Sequence, residues 1–111
     1  MNPMKAEDFL LVYCPVPSFE LGEEIAYHLL SKKLVACVNL IPQAFSFYEW
    51  ESKIQKTKES ILLLKTKKIL YVKMSQEIKK KHPYECPSIF AIALNQADVS
   101  FLKWINQSLS S

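Results

Sequence analysis

Leu34-Val-Ala-Cys-Val-Asn-Leu-Ile-Pro42, Ala44-Phe-Ser-Phe-Tyr-Glu-Trp50 and Ser60-Ile-Leu-Leu-Leu-Lys-Thr66 follow one another without an interval that a helix could fill. Phe45 and Phe47 alternate with Ser46, Tyr48 and Trp50, which is the period of two expected of a strand. The pattern predicts a strand over 34–41, stopped or bent at Pro42 and resumed over 44–50, and a further strand over 60–66. Strands joined without a crossover pair as a hairpin. Its turn is placed near Glu51-Ser52, although no Asn-Gly pair marks it.

The elements on either side can be read outward from that hairpin. Residues 9–14 (Phe-Leu-Leu-Val-Tyr-Cys) read as a strand stopped by Pro15 and Pro17. Ser18 then offers a helix N-cap, with Glu20, Glu23 and Glu24 in the early turns and Lys32 and Lys33 in the last, as the helix dipole favours. Leu21, Ile25, Leu29 and Leu30 keep to one face of that helix. Downstream, residues 67–81 predict a lysine-studded helix carrying Leu70, Met74 and Ile78, ended by Pro83. Residues 88–94 predict a fourth strand, and Asp98 a cap for a final helix with Phe101, Leu102, Ile105 and Leu109.

The order β-α-β-β-α-β plus a terminal helix defines an α/β (α+β) fold of the ferredoxin-like, split β-α-β type. It has an antiparallel sheet with helices on one face. A single domain over residues 1–111 suits the length. The strands are apolar on both sides: Leu10 and Val12 against Phe9 and Leu11, Phe90 and Ile92 against Ile89 and Ala91. A water-facing side would alternate with polar residues, so another subunit is expected to cover the open face.

Composition excludes several classes of function. Gly22 is the only glycine, too few for a phosphate-cradling loop. The net charge is +3 and all 14 basic residues are lysines. Sequence-reading of nucleic acid relies on arginine forks, so no nucleic-acid partner is expected. The apolar run 9–16 is a strand rather than a signal or membrane segment, and no membrane partner is expected. Cys14, Cys37 and Cys86 are odd in number and lack C-x-x-C spacing, which suits reduced thiols in the cytoplasm. No catalytic triad, metal-hydrolase helix or carboxylate pair can be assembled, so an enzyme is not expected.

The topology brings the end of the first strand, at Cys14, near His82-Pro83-Tyr84-Glu85-Cys86 before the fourth. Two thiols, an imidazole and a carboxylate are ligands for copper or zinc. The structural alternative is favoured by the frequency with which free cysteine is buried: Cys14 and Cys86 as small core residues, His82 as a helix cap. Cys37, mid-strand, reads as a buried inert thiol, and nothing in the sequence recruits His28. Tyr48 and Trp50, with Glu49 and Glu51, suit packing on a neighbouring subunit and equally the lip of a ligand cleft.

Five blocks in register carry a resemblance: 34–42, Ser46-Phe-Tyr-Glu-Trp-Glu-Ser-Lys53, Leu63-Leu-Lys-Thr66, His82-Pro-Tyr-Glu85 with Pro87, and Phe101-Leu-Lys-Trp104. Together they resemble the CutA divalent-cation-tolerance family over nearly the whole chain. The resemblance implies a homotrimer of ferredoxin-like subunits, similar in architecture to PII signalling proteins, and a role in tolerance to copper and other divalent metals. It implies copper, or another divalent cation such as zinc, as the bound ion, with no organic cofactor. The family pattern places metal ligands at Cys14 and His82; Glu85 is a candidate third, an oxygen donor that could substitute for a missing ligand. Some members carry a second histidine where this chain has Lys81. Tyr48, Trp50, Lys53, Lys65, Tyr84 and Trp104 become candidates for a cleft between subunits. Two other readings stand beside metal binding: a PII-like trimer that takes a small effector, and a purely structural trimer that anchors a partner. Ser52 stands where the family has glycine in the hairpin turn.

Overall fold

The computed structural model describes residues 4–110, so residues 1–3 and 111 of the predicted domain lie outside the described residues. Strand β1 (Phe9–Val16) turns Leu10, Val12, Cys14 and Val16 to one side, where all four are buried. It lies inside a sheet of order β2-β3-β1-β4, with β2 (Cys37–Trp50), β3 (Lys53–Lys67) and β4 (Phe90–Ala93). Every neighbouring pair is antiparallel. This is the split β-α-β arrangement that the sequence predicts. Helices α1 (Phe19–Ser31) and α2 (Tyr71–Lys81) close over the Val12 side, where Ile25, Leu29, Met74 and Ile78 meet Leu62 and Leu64. Each such side chain contributes about 1.5–3 kcal/mol on leaving water. A third helix, α3 (Val99–Leu109), brings Leu102 and Ile105 to Phe9 and so covers one end of the opposite face.

The ends of α1 explain where neighbouring elements begin. Ser18 caps its start by accepting the Leu21 amide at 3.1 Å. At its end Lys33 has φ of 54°, the Leu34 amide donates to the Leu29 carbonyl at 3.0 Å, and the Lys33 amide to Leu30 at 3.1 Å. This is a Schellman ending with lysine in the place that favours glycine. It consumes Leu34 as the residue that folds back on the helix, so β2 starts at Cys37 rather than at 34. Gly22 has a packing role. A Cβ there would lie 2.6 Å from Leu40 Cδ1, so the missing side chain lets α1 lie directly on β2.

The hairpin is longer than predicted. β3 begins at Lys53, not 60, because the polar run 53–59 pairs residue for residue with 44–50. Its tip is the predicted one: Glu51 and Ser52 both have positive φ, at 51° and 64°, as a two-residue turn of the I′ kind requires. Between Ile41 and Ala44 the ladder shifts by one residue, at Pro42 and Gln43. Such a bulge bends the strand and re-aims the side chains beyond it.

Several smaller readings change. The predicted 67–81 helix opens with a 3-10 turn (Lys68–Leu70) before α2, and the fourth strand is cut to Phe90–Ala93. Asp98 stands at the N-cap of α3, where its carboxylate takes the Ser100 hydroxyl. His28 is recruited after all: its Nε2 is 2.8 Å from Glu77 on α2, whose other oxygen takes Lys80 Nζ at 2.7 Å. Cys37 is half-buried rather than buried, with Lys65 Nζ 4.0 Å from its sulfur, and Cys86 is exposed, not a core residue. Among the described residues no helix is long and apolar enough to cross a membrane.

Beyond the reach of α3 the second face of the sheet is bare. Phe90 and Ile92 of β4 are about half exposed, and Tyr13 stacks on Phe90 with ring centres 5.0 Å apart. Tyr48 and Trp50 carry that face onto the hairpin, whose other side exposes Phe45, Phe47 and Ile54.

Candidate functional site

The hairpin, the end of β1 and the loop after α2 meet on the bare side of the sheet. Pairing of Ser46 with Thr57 and of Tyr48 with Gln55 puts Ser46, Tyr48 and Trp50 on the side that also carries Glu59. Two hydrogen bonds fix that face: the Ser46 hydroxyl donates to Glu59 Oε1, and Tyr48 and Thr57 share one at 2.9 Å. From the other side Tyr84 donates its phenol to Glu59 Oε2 at 2.8 Å. Glu59 is thereby buried, with 7% of its surface exposed.

His82 sets the loop that delivers Tyr84. It ends α2, its amide donating to Ile78 at 2.9 Å, and its ring is buried. Nε2–H donates to the Pro15 carbonyl at 2.8 Å, while Nδ1 accepts the Tyr84 amide at 3.2 Å. The two rings pack with centres 4.6 Å apart. Pro83 prevents the helix from continuing past this point. Burial, and then the hydrogen bond to Glu59, hold the Tyr84 phenol up at about 12, so it stays a donor at neutral pH.

The predicted residues divide into those gathered here and those elsewhere. Tyr48, Trp50, Tyr84 and Glu85, with Gln55 and Cys86, line a cleft of about 470 Å³. A contiguous cleft of about 410 Å³ shares Tyr48, Trp50 and Tyr84 and reaches inward to Tyr13, Ser46 and Glu59. Lys53 stands exposed at the hairpin tip, opposite Trp50 in the ladder. Lys65 lies opposite Leu11 and Cys37, further along the sheet. Trp104 sits on α3 and stacks on Phe101 at 6.3 Å. None of these three lines either cleft within one chain. Glu59 and Ser46 were missed because a lone glutamate in the run Lys-Glu-Ser reads as a polar lead-in to the strand. The sequence signal was its two-residue spacing from Ile61, which puts both on one face.

Cys14 and His82 meet at a shared atom, the Pro15 carbonyl, which lies 3.8 Å from the Cys14 sulfur. They are not arranged as metal ligands. Both ring nitrogens of His82 are occupied. Burial, reinforced by the charge of Glu59, pushes the Cys14 thiol up to about 12, away from the thiolate a metal takes. Glu85 is exposed in the aromatic cleft instead. Among the described residues no three of His, Cys, Asp or Glu are grouped to hold a metal. As arranged in the single chain, the set does not fit a copper or zinc centre.

The family model for the CutA1 divalent ion tolerance protein matches residues 10–108. The chain belongs to the CutA family. It is 34% identical over 99 residues to the chloroplastic protein CutA 1 of Oryza sativa subsp. japonica, covering 89% of this chain and 56% of that protein. It thus spans little more than half of that relative. With the divalent-cation tolerance protein CutA of Archaeoglobus fulgidus it shares 39% identity over 98 residues, 88% of this chain and 95% of the other. The crystal structure of the divalent ion tolerance protein CutA1 from Ehrlichia chaffeensis superposes with a TM-score of 0.90 at 31% identity, over 95% of this chain and 98% of that one. The CutA match covers the sheet, α1, α2, the hairpin and almost all of α3.

Proposed function

We propose that this CutA-family chain works as a homotrimer whose business end is a small-molecule cleft between subunits, a binding role in divalent-cation tolerance rather than catalysis. One observation carries the reading: the uncovered apolar face at Phe90 and Ile92 leads through Tyr13 into the cleft that Tyr48 and Trp50 of the hairpin wall. A lone soluble chain rarely exposes so continuous an apolar surface, whereas a subunit interface buries one. β2 adds a long sheet edge, which a neighbouring copy would cover. Three copies is the number that the family resemblance implies.

Light scattering of the purified protein tests the assembly. The expected mass is about three times the 12.8 kDa of one chain. Phe90→Lys with Ile92→Lys, both on the bare face, should lower it to that of one chain while far-UV dichroism is retained. A monomeric mass for the unaltered protein would refute the assembly. Anaerobic titration with Cu(I), Cu(II) and Zn(II) decides between the cleft and a metal centre at Cys14, His82 and Glu85. Such a centre requires His82 to release Pro15 and the buried thiol to ionise. Saturable binding that His82→Ala abolishes would establish that rearrangement and displace the cleft reading.

A further inference from the structure

Glu59 is a buried carboxylate with no counter-charge within 4.0 Å among the described residues. Its partners are two neutral hydroxyls, Ser46 on one oxygen and Tyr84 on the other. Among the described residues the ion pairs within 4.0 Å lie within α2 or between it and α1 with its C-cap Lys32, and none involves Glu59. Lys58, its neighbour in sequence, is exposed on the other side of the strand. Hydroxyl donors ease the burial of a carboxylate but do not neutralise it, and each carboxylate oxygen can accept a second donor. The charge is felt nearby: it contributes to raising both the Tyr84 phenol and the Cys14 thiol.

The surroundings select the kind of cation. The cleft that reaches Glu59 is walled by Tyr13, Tyr48, Trp50 and Tyr84, and its volume of about 410 Å³ is in the small-ligand range. Aromatic rings beside one carboxylate suit an organic cation, attracted by the ring quadrupoles and paired with the single charge. A hard divalent ion takes six or more oxygen ligands and prefers several carboxylates, and copper or zinc prefers nitrogen and thiolate. The cleft offers one carboxylate, hydroxyls, aromatic carbon and a single thiol, Cys86, with no imidazole beside them; among the described residues no three metal-ligating groups gather. We propose that Glu59 anchors a protonated amine in this cleft, with the ammonium hydrogen-bonded to the carboxylate and the carbon chain along Tyr48 and Trp50. The proposal rests on the reading of this cleft as the ligand site and adds the ligand's chemical class.

The test is calorimetric titration with n-butylamine and 1,4-diaminobutane at neutral pH, with n-butanol and Zn(II) as controls and with the mass followed by light scattering. The expected result is saturable amine binding, none for n-butanol, and at least tenfold weaker affinity in Glu59→Gln at unchanged mass. Trp50→Ala, at an exposed position whose loss leaves the core intact, should weaken the amine as well. Amine binding indifferent to both substitutions, or no amine binding by an intact trimer, overturns the proposal. So does dissociation of the assembly by Glu59→Gln, which would mean that a lysine of a second copy neutralises Glu59. Zn(II) binding lost in Glu59→Gln while amines fail to bind also overturns it in favour of a metal. A monomeric protein that binds amines through Glu59 would sustain the proposal and refute only the assembly.

Discussion

Replacing Gly22 by alanine should destabilise the protein, although alanine is the better helix former. In the middle of α1 the exchange gains about 0.8–1 kcal/mol of helix propensity. Against this, the new Cβ meets Leu40 Cδ1 at 2.6 Å, Leu40 Cδ2 at 3.2 Å and Val16 Cγ2 at 3.3 Å. Both methyls of Leu40 lie on the glycine's side, so turning the leucine exchanges one clash for another, and Val16 limits retreat along the sheet. Overpacking of this kind costs about 1–3 kcal/mol. The net expectation is a loss of about 1 kcal/mol, near 4 °C in Tm for a chain of this size. Urea unfolding at one fixed protein concentration measures it, because association would shift apparent stability. In a Leu40→Ala background the clash is gone, and the same Gly22→Ala change should stabilise by up to about 1 kcal/mol, a coupling that a double-mutant cycle isolates. A gain in stability from Gly22→Ala alone, or the same penalty with Leu40 trimmed, would refute the reasoning.

Lys33→Gly should raise stability by about 1 kcal/mol, since a side chain is removed from the left-handed residue that ends α1; no gain in the urea midpoint would count against the Schellman assignment. Thr66→Val should cost about 1–3 kcal/mol, because the buried hydroxyl that donates to the Leu34 carbonyl at 2.7 Å is lost and the carbonyl is left unpaired. Glu77 should show in acid unfolding. Its carboxyl is held down at about 2 against an ordinary 4.5, first by the Lys80 hydrogen bond and then by His28. Its folded value is the lower one, so its contribution is fully present above pH 4.5 and is lost as pH falls through about 2. Lys80→Met should therefore move the acid transition to higher pH, and an unmoved transition would remove Glu77 from the account.

The order of elements and the two-sided apolar strands were legible in the sequence because both arise from local periodicity. Periodicity alone does not say which of the two apolar sets stays uncovered; in β4 it is Phe90 and Ile92. Boundaries were misread where one element borrows residues from another: Leu34 belongs to the ending of α1, and the polar 53–59 run becomes strand only because 44–50 lies opposite. Within the site, Tyr48, Trp50 and Tyr84 were legible because aromatic residues and a recognised motif mark them, whereas Glu85, expected as a metal ligand, lines the cleft instead. Glu59 was not legible, because its meaning depends on a register that crosses a bulge. Lys53, Lys65 and Trp104 were expected in a cleft between subunits, and a single chain does not bring them together. Membership in family blocks says nothing about which of them share a cleft in one chain.

The one-residue shift at Pro42 and Gln43 works as a phase step along β2. Before it, odd-numbered residues such as Asn39 and Ile41 share the face of Leu63 and Ile61; after it, even-numbered Ala44, Ser46 and Tyr48 share the face of Glu59, Thr57 and Gln55. In an unbroken ladder Phe45 and Phe47 would take those places, and the hydroxyl that reaches Glu59 would point to the far side. Shortening the strand by Gln43 would straighten it yet leave the same side chains over Glu59. Removing a single residue just beyond Ser46 would instead turn Tyr48 and Trp50 away. The chemistry of the cleft is therefore indifferent to the length of the strand on one side of Ser46 and acutely sensitive to it on the other.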